Sequence, residues 1–590
     1  MKLLKLNKTT GNRKKRSQRR SDWLELVAGL LIVVFLNIIG QYLFVRADLT
    51  AERRYTLSDA TKQLLGTLDE PVLFRVYLEG DFPADFKRLQ NETKEMLNQF
   101  RAYSSYVDYE FVDPNNFSSD EDRRTFYDKL MRKGIQPTQI QVRNSGGIST
   151  QVLVPAADVM YKGRETSIQL LQNQKYVAED ELLNNSIQSL EYVLSSSIRE
   201  LTRGISPTIG FVTGHGELEG GVLYDIQMAL QERYSLEYVN IDGNINAHTA
   251  REPRKSDSTQ YRFYNKYDLL IVAKPRKAFD DRDLYILDQY VMYGGKVLWF
   301  IDNMDADLDS LAHRGQMLST RLPLNLEDML FNYGVRINAD LVQDIRCRPI
   351  PMTVGMVGDK PQIQFCPWFY FPEVAPATQH PIVRNLDLIK CDFCSSIDLI
   401  DNDISKTVLL ATSEYSRVKN APVLVDLNEA KVDVANIDQR LFGRSNVPVA
   451  VLLEGAFRSV YRGRLTPQFT ELPAMGYRSE GEETKMIVVS DGDVIRNRYN
   501  SQEGTGFPVG YDHYTQTIYA NKSFILNAVD YLTGGEGFIA SRSRDVKMRK
   551  LDVMKVKEQR TLYQVFNIVL PSLLILLVGV VIVVLRRRRF

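Results

Sequence analysis

Two long apolar runs bracket the chain, and the pattern between them is that of a folded, water-facing protein. Residues 26–45 form a run of 20 whose strongly polar members are Asn37 and Gln41. Residues 565–585 form a run of 21, interrupted by Asn567 and Pro571. Each is long enough to cross the roughly 30 Å hydrocarbon core of a bilayer as a helix. Val45-Arg46-Ala47 loosely resembles a signal-peptide cleavage site. The first run nevertheless exceeds the roughly 7–15 apolar residues of a signal core, so a retained span is expected. Two helices enclose no sizeable pore, and the expectation is a membrane-tethered domain that serves a partner.

Between the runs the periodicity alternates between helix and strand. Ser58 precedes a helix expected over 60–68. Residues 72–78 alternate as a strand, and Phe86, Leu89, Met96, Leu97 and Phe100 mark a helix over 84–103. A strand over 106–112, a helix near 120–133 and a hairpin (138–143 and 148–155, turning at Ser145-Gly146-Gly147) complete a small α/β domain. A long helix with one apolar stripe spans 178–203. From Pro207 the pattern becomes regular. Strands at 209–213, 236–241, 267–273 and 296–301 alternate with helices at 224–233 and 280–293. Near-continuous apolar strands between helices predict a parallel sheet covered on both faces. A polar, basic insertion at 244–264 is expected to be mobile. Strands at 407–411, 447–454 and 485–490 and a helix at 522–532 are expected to complete the same sheet.

The expected fold class is therefore α/β, with a span at each end. The segments are a basic tail (1–22), a span (23–45), a small α/β domain (46–177), a linker helix (178–206) and a parallel α/β domain (207–310). A Pro-, Cys- and aromatic-rich insertion (311–400), the completing strands and helix (401–540), a basic juxtamembrane segment (541–564), a second span (565–585) and a tail (586–590) follow. The insertion reads as a folded unit with its own core, with a partner surface around Pro367-Trp368-Phe369-Tyr370-Phe371-Pro372 as the alternative.

Charge assigns the sides. The first 20 residues carry nine basic side chains and no acidic one, and Arg586–Arg589 close the chain. Basic flanks stay cytoplasmic, so both termini are expected there, with the large domain across an inner membrane in the periplasm. Residues 542–560, with eight basic and three acidic side chains, run against this, and the first span is taken to decide. The whole chain is +1, and without its thirteen terminal basic residues it is −12. An acidic body argues against a nucleic-acid partner, while the basic tails suit membrane lipid.

The chemistry is sparse. There is no P-loop, no His-Glu-x-x-His and no Gly-x-Ser-x-Gly. No metal or cofactor is implied. Gly214-His215-Gly216-Glu217 and Asp491-Gly492-Asp493 each follow a strand expected to be parallel, where open α/β sheets bind ligands. Gly214, His215, Gly216, Glu217, Asp491 and Asp493 are thus the candidate ligand cleft, weighed against ordinary turn chemistry. Asp302, Asp305, Asp307 and Asp309 resemble a calcium loop but lack its central Gly and closing Glu, and read as solvated surface. Cys347, Cys366, Cys391 and Cys394 share a 48-residue window. Structural disulfides or free thiols are the leading reading, with a redox Cys-x-x-Cys or a zinc site as alternatives.

Residues 207–215, the strand-helix-strand 267–303 and Val488-Val489-Ser490-Asp491-Gly492-Asp493 together resemble the auxiliary domain of ABC-type transport systems, itself similar to the glutamine-amidotransferase-like fold. The two terminal spans, Glu52-Arg53-Arg54-Tyr55-Thr56-Leu57-Ser58 and Ile400-Asp401 extend the likeness to gliding-motility-associated ABC transporter components of the GldG type. The resemblance implies a multi-span permease and a cytoplasmic ATPase as partners, with a role in gliding and in secretion of surface proteins. Where an active amidotransferase carries a Gly-x-Cys-x-Gly elbow, this chain has Asp302-Asn303-Met304, so no hydrolase activity is expected. The leading expectation is a non-enzymatic transporter subunit that binds or couples. A periplasmic hydrolase or amidase using His215, Glu217 and Asp491, and a structural envelope scaffold, are the alternatives.

Overall fold

The computed structural model describes residues 23, 26–32, 34–35, 56–80, 83–114, 126, 138–144, 147–171, 179–202, 206–534 with short gaps, and 559–589. The N-terminal tail, most of the first span, the helix expected at 120–133 (Phe126 excepted), Ser145-Gly146 and most of 541–564 lie outside these residues. Trp23, 26–32 and 34–35 are helical. The chain divides into two compact units, Met1–Thr56 and Leu57–Phe590.

Helix α1 (Asp59–Gly66) opens the second unit, and the Ser58 hydroxyl accepts from Thr61 N at 3.2 Å as its cap. Strand β1 (Val72–Val76), helix α2 (Ala84–Tyr103), strand β2 (Val107–Phe111), strands β3 (Ala156–Tyr161) and β4 (Arg164–Gln169) and helix α3 (Glu179–Thr202) follow. The sheet runs β2-β1-β3-β4, with β1 and β2 parallel and the other pairs antiparallel. Its core joins Val72, Phe74 and Val76 to Leu89, Leu97 and Phe100 of α2 and Leu190, Leu194 and Ile198 of α3. The hairpin of Thr138–Asn144 and Gly147–Leu153 forms as its pattern predicts.

The main sheet holds ten strands. In chain order its elements are β5 (Thr208–Thr213), α4 (Tyr224–Gln231), β6 (Ser235–Asn240), β7 (Leu269–Ala273), α5 (Asp281–Met292), β8 (Val297–Phe300), β9 (Cys347–Val357) and β10 (Lys360–Pro376). Ile389–Lys390 pairs with β10, and β11 (Ser405–Ala411), β12 (Pro448–Arg458), β13 (Glu480–Val489) and α6 (Asn521–Leu532) complete the set. The order is β9-β10-β11-β12-β13-β8-β7-β5-β6. From β13 to β6 the pairs are parallel, whereas β9 to β13 pair antiparallel. The expected parallel sheet is thus the parallel half of a mixed one. The late strands do join it, and β13 inserts beside β8 although some 180 residues separate them in the chain.

Both faces are buried, which explains the unbroken apolar strands. Leu269, Ile271 and Ala273 of β7 pack with Ile226 of α4 and Phe524 and Ala528 of α6. Leu270 and Val272 face the other way, onto Leu287, Tyr290 and Val291 of α5. Each fully buried Leu or Ile of this kind contributes about 1.5–3 kcal/mol. Within 311–400, Leu341, Ile350, Cys366, Trp368, Tyr370 and Phe393 form a separate core, so the aromatic run is mostly interior. The outermost strand β9 carries Pro349 and Pro351, and Met356, Ile363 and Phe365 are exposed on the β9–β10 ribbon.

Residues 244–264, expected to be mobile, instead fold as an antiparallel hairpin of Thr249–Arg254 with Asp257–Asn265. Phe263 stacks on Tyr293 (5.4 Å between centroids), and Arg251 Nε donates to Met475 O at 3.4 Å. At its base His248 is fully buried against Tyr267 and Tyr290, with neither ring nitrogen hydrogen-bonded. At the last residues, Tyr563–Leu585 lies within helix α7 (Arg560–Arg589) and is long and apolar enough to cross a membrane.

Burial, with the nearby Lys266 charge, pushes the His248 imidazole down to about 3. The unfolded chain therefore binds a proton below about pH 6.5 that the folded chain does not. Stability from this residue is complete above that pH and falls by about 1.4 kcal/mol per pH unit toward pH 3. Denaturant midpoints of the full chain in detergent at pH 7 and pH 5 should show the loss. It should shrink in His248→Leu.

Candidate functional site

Four neighbouring parallel strands, β5, β7, β8 and β13, end on one edge of the sheet, and each apolar run ends in charge. Gly214-His215-Gly216-Glu217 follows β5, Lys274 follows β7, Asp302 lies two residues past β8, and Asp491-Gly492-Asp493 follows β13. The strand order makes the crevice between β5 and β7 a topological switch point, because the chain leaves β5 toward β6 on one side and returns to β7 on the other.

The loop after β5 closes that crevice with its own groups. Glu217 Oε2 accepts from His215 N at 2.7 Å, and His215 O accepts from Arg276 N and Lys277 N, both at 2.8 Å. The imidazole stacks on Phe279 with centroids 3.8 Å apart. Its Nε2 lies 2.9 Å from Asp283 Oδ2 in the first turn of α5, and Nδ1 lies 3.4 Å from Glu217 Oε1. Asp283 Oδ1 accepts in turn from Gly243 N at 2.8 Å, so one histidine ties the loops after β5 and β6 to α5. Gly214 has φ +114, and a Cβ there would stand 2.6 Å from Asn240 Oδ1. Burial disfavours the imidazolium, but the carboxylates of Glu217 and Asp283 outweigh it and raise the His215 pKa.

Beside this lies a second polar cluster, centred on Lys274. Its side chain is 3% exposed, and its ammonium contacts Asp302 Oδ2 at 3.0 Å and, closely, Asp493 Oδ2. The residue sits at φ +56, a left-handed conformation that costs a side-chain-bearing residue about 1–2 kcal/mol. Asp302 Oδ1 accepts from Gly492 N, and Asp491 accepts from Asp493 N (2.7 Å) and from Asp392 N (2.6 Å). A Cβ on Gly492 would lie 2.5 Å from Lys274 Cγ, so only glycine admits the lysine stem. Arg276 Nη2 stands 3.7 Å from Asp302 Oδ2, and Arg496 Nη1 3.3 Å from Asp493 Oδ1.

The three carboxyls divide their roles. Burial, with the charges of Asp493 and Asp302, pushes Asp491 well above the usual carboxylate range, which favours its neutral form. Burial also acts against the charge of Asp493, but the Lys274 ammonium outweighs it and holds that carboxyl low. Lys274 loses solvation too, and the carboxylates of Asp302 and Asp493 more than restore its charge. Oxygens of Asp302, Asp491 and Asp493 lie within 4.8 Å of one another, the spacing of a cation seat. Lys274 already supplies a cation there.

The structure brings Gly214–Glu217 and Asp491–Asp493 to the same edge, as their positions after strands imply. Their side chains are largely engaged with protein groups. Asp302, read as solvated surface with Asp305, Asp307 and Asp309, is instead buried in the Lys274 cluster, because Ile301 and Asp302 run on from β8 into the interior; Asp305 is exposed and Asp309 lies outside the described residues. Lys274 and Asp283 had not been singled out. The signal was present in Leu-Leu-Ile-Val-Ala-Lys and Val-Leu-Trp-Phe-Ile-Asp, two adjacent buried strands closing on opposite charges. Cys347, Cys366, Cys391 and Cys394 are free thiols. Burial raises the Cys391 thiol, which adjoins Cys394 and Asp491, and pushes Cys347 up to about 12. Cys394 is drawn down by its contact with Cys391 and raised, on balance, by burial. Such thiols are poor nucleophiles.

An α/β sheet unit with a polar carboxyl edge, followed by an apolar helix of membrane-spanning length, is the class of protein defined here. Residues 206–528 match the family described as an ABC-type uncharacterized transport system, and the chain belongs to that family. Residues 51–160 match a domain of unknown function. An uncharacterized protein of Borreliella burgdorferi is 21% identical over 451 residues, covering 75% of this chain and 79% of the relative. Among solved structures, the mmIFT52 N-terminal domain overlaps 56% of this chain and 98% of its own at 14% identity and TM-score 0.30. The exo-β-1,4-mannosidase Op5Man5 from an Opitutaceae bacterium overlaps 83% and 55% at 9% identity and TM-score 0.16. Overlaps this slight define neither fold nor function.

Replacing Lys274 by Met leaves buried carboxylates without their cation. The expected cost is about 3–5 kcal/mol in a denaturant titration, and adding Asp302→Asn should recover part of it. For His215, whose folded pKa is raised, the ion-pair stabilisation is complete below about pH 6.5 and lost as pH rises through the folded value. The melting-temperature advantage of the native chain over His215→Gln should therefore be larger at pH 6 than at pH 9.

Proposed function

We propose that this chain is a non-enzymatic, membrane-anchored accessory subunit of an ABC transporter, acting as a binding or coupling module. Family membership gives the transporter association. The observation that carries the non-enzymatic part is the state of the carboxyl edge. His215 is clamped between Glu217 and Asp283, and Lys274 is locked among carboxyls, so neither is presented to a substrate. Nucleophilic catalysis needs a free, activated nucleophile beside a base, and Asp302 and Asn303 stand where an elbow would place it. The three-layer packing around β5–β8 supports an amidotransferase-like domain kept as a scaffold after its chemistry was lost.

In this reading both membrane runs are helical anchors, the termini are cytoplasmic and the sheet domain is periplasmic. Its partners are a multi-span permease, a cytoplasmic ATPase and membrane lipid, with envelope motility or secretion proteins beyond them. The sequence likeness to GldG-type components supports gliding motility and surface-protein secretion as the process served. The chain supplies a rigid body anchored in the same bilayer as the permease, while nucleotide chemistry belongs to the ATPase.

A pull-down of the tagged full chain from its native membrane in mild detergent, read by mass spectrometry, tests the proposal. Co-purification of a multi-span permease and a P-loop ATPase is expected. Recovery of the chain alone, or with cell-wall proteins only, would sink the transporter reading.

A further inference from the structure

A cavity of about 400 Å³ opens among the antiparallel strands of the main sheet, on the same edge at which β13 ends, and it is lined by none of the residues of the Lys274 cluster. It is bounded by the end of β10, the loop after β11 and Asn446. That volume lies within the roughly 300–1,000 Å³ of ordinary small-molecule sites. Ala377 and Ala411 give it apolar wall. Glu414 and Tyr415, both exposed, stand at its rim. The loop is held in place by Asn446 N donating to Ser413 O at 3.0 Å, and by Ser413 N donating to Asp344 Oδ2 at 2.6 Å.

Arg346, half-buried and immediately before β9, also lines the cavity. Its Nε donates to Glu373 O at 2.7 Å, which fixes the guanidinium plane. Its Nη2 is buried and has no hydrogen-bond partner. A buried cationic donor without an acceptor is unfavourable, and a carboxylate is the acceptor whose geometry fits a guanidinium fork. The exposed Glu414 carboxylate disfavours a multiply charged anion and complements an ammonium group.

We propose that this cavity binds a small zwitterion with a terminal carboxylate, an amino acid or short peptide. The carboxylate pairs with Arg346, the ammonium faces Glu414, and a small side chain rests on Ala377 and Ala411. The site is separate from the accessory-subunit reading and is tested without any partner protein.

The experiment is isothermal titration of the full chain in detergent with the dipeptide Ala-Ala, its C-terminal amide and its N-acetyl form. Ala-Ala should bind. The amide should bind about tenfold or more weakly, the loss of one charge-assisted hydrogen bond. The N-acetyl form, and Ala-Ala on the surface variant Glu414→Lys, should each be weaker by about fivefold. Arg346→Gln should match the loss seen with the amide. If that variant does not fold, the ligand series on the native chain decides alone. Absence of Ala-Ala binding, equal affinity for the amide, or affinity unchanged in Glu414→Lys overturns the proposal.

Discussion

The ammonium of Lys274 is the point on which the carboxyl edge of the sheet depends. Parallel strands that end side by side inside a protein bring their following loops into one dry space. In this chain the loops after β8 and β13 both deliver carboxylates there. Like charges at that separation would push the strand ends apart. One lysine, held in an unfavourable backbone conformation after β7, neutralises two of them, and burial raises the pKa of the third, favouring its neutral form. Gly492 is fixed by the same constraint, since a larger residue would occupy the space of the lysine stem.

Polar groups bind this molecule together at its joints rather than within its layers. Asp392, between the free thiols of Cys391 and Cys394 in the chain, donates its backbone N–H to Asp491, so the aromatic insertion is tied to the main sheet at the same cluster. The long helix α3 belongs to the core of the small N-terminal domain, yet its Tyr192 hydroxyl donates to Asp530 of α6. Tyr234 donates to that carboxylate at 2.5 Å, and Arg233 to the Tyr192 hydroxyl at 2.8 Å. Ser58 N donates to Glu191 at 2.6 Å, fastening the start of the unit to α3. The N-terminal domain is thereby tied to the main sheet through directional hydrogen bonds.

Much of this was legible from residue order. Four-to-seven-residue apolar runs between helical periods gave the parallel strands and their two-sided burial, because a strand covered on both faces has no polar face to show. Capping by Ser58 and the helical pattern from 280 located two helix starts to within a residue, and Asp280 proves to be the cap of the second. The antiparallel half of the sheet was less legible, since β11 and β12 have the same buried composition as parallel strands. The hairpin at 249–265 was missed because its charges suggested solvent, whereas Arg251 and Phe263 pack onto Tyr293 and the backbone of Met475. Pairings across 190 residues, such as Gly492 with Asp302, leave no trace in a single sequence. The candidate residues could be named from their places after strands, but not that their polar atoms would be engaged with one another.

The prolines of β9 have a consequence for a protein fixed in a membrane. Anchoring confines chains to two dimensions, where encounters between copies are frequent and similarly oriented. A bare outer strand in that setting would template the next copy and grow into a ribbon of joined sheets. Proline is accommodated in a sheet where its missing N–H faces away from the neighbouring strand. Pro349 and Pro351 therefore leave gaps in the outward row of donors, and the sheet stops at β9 rather than continuing into a second copy.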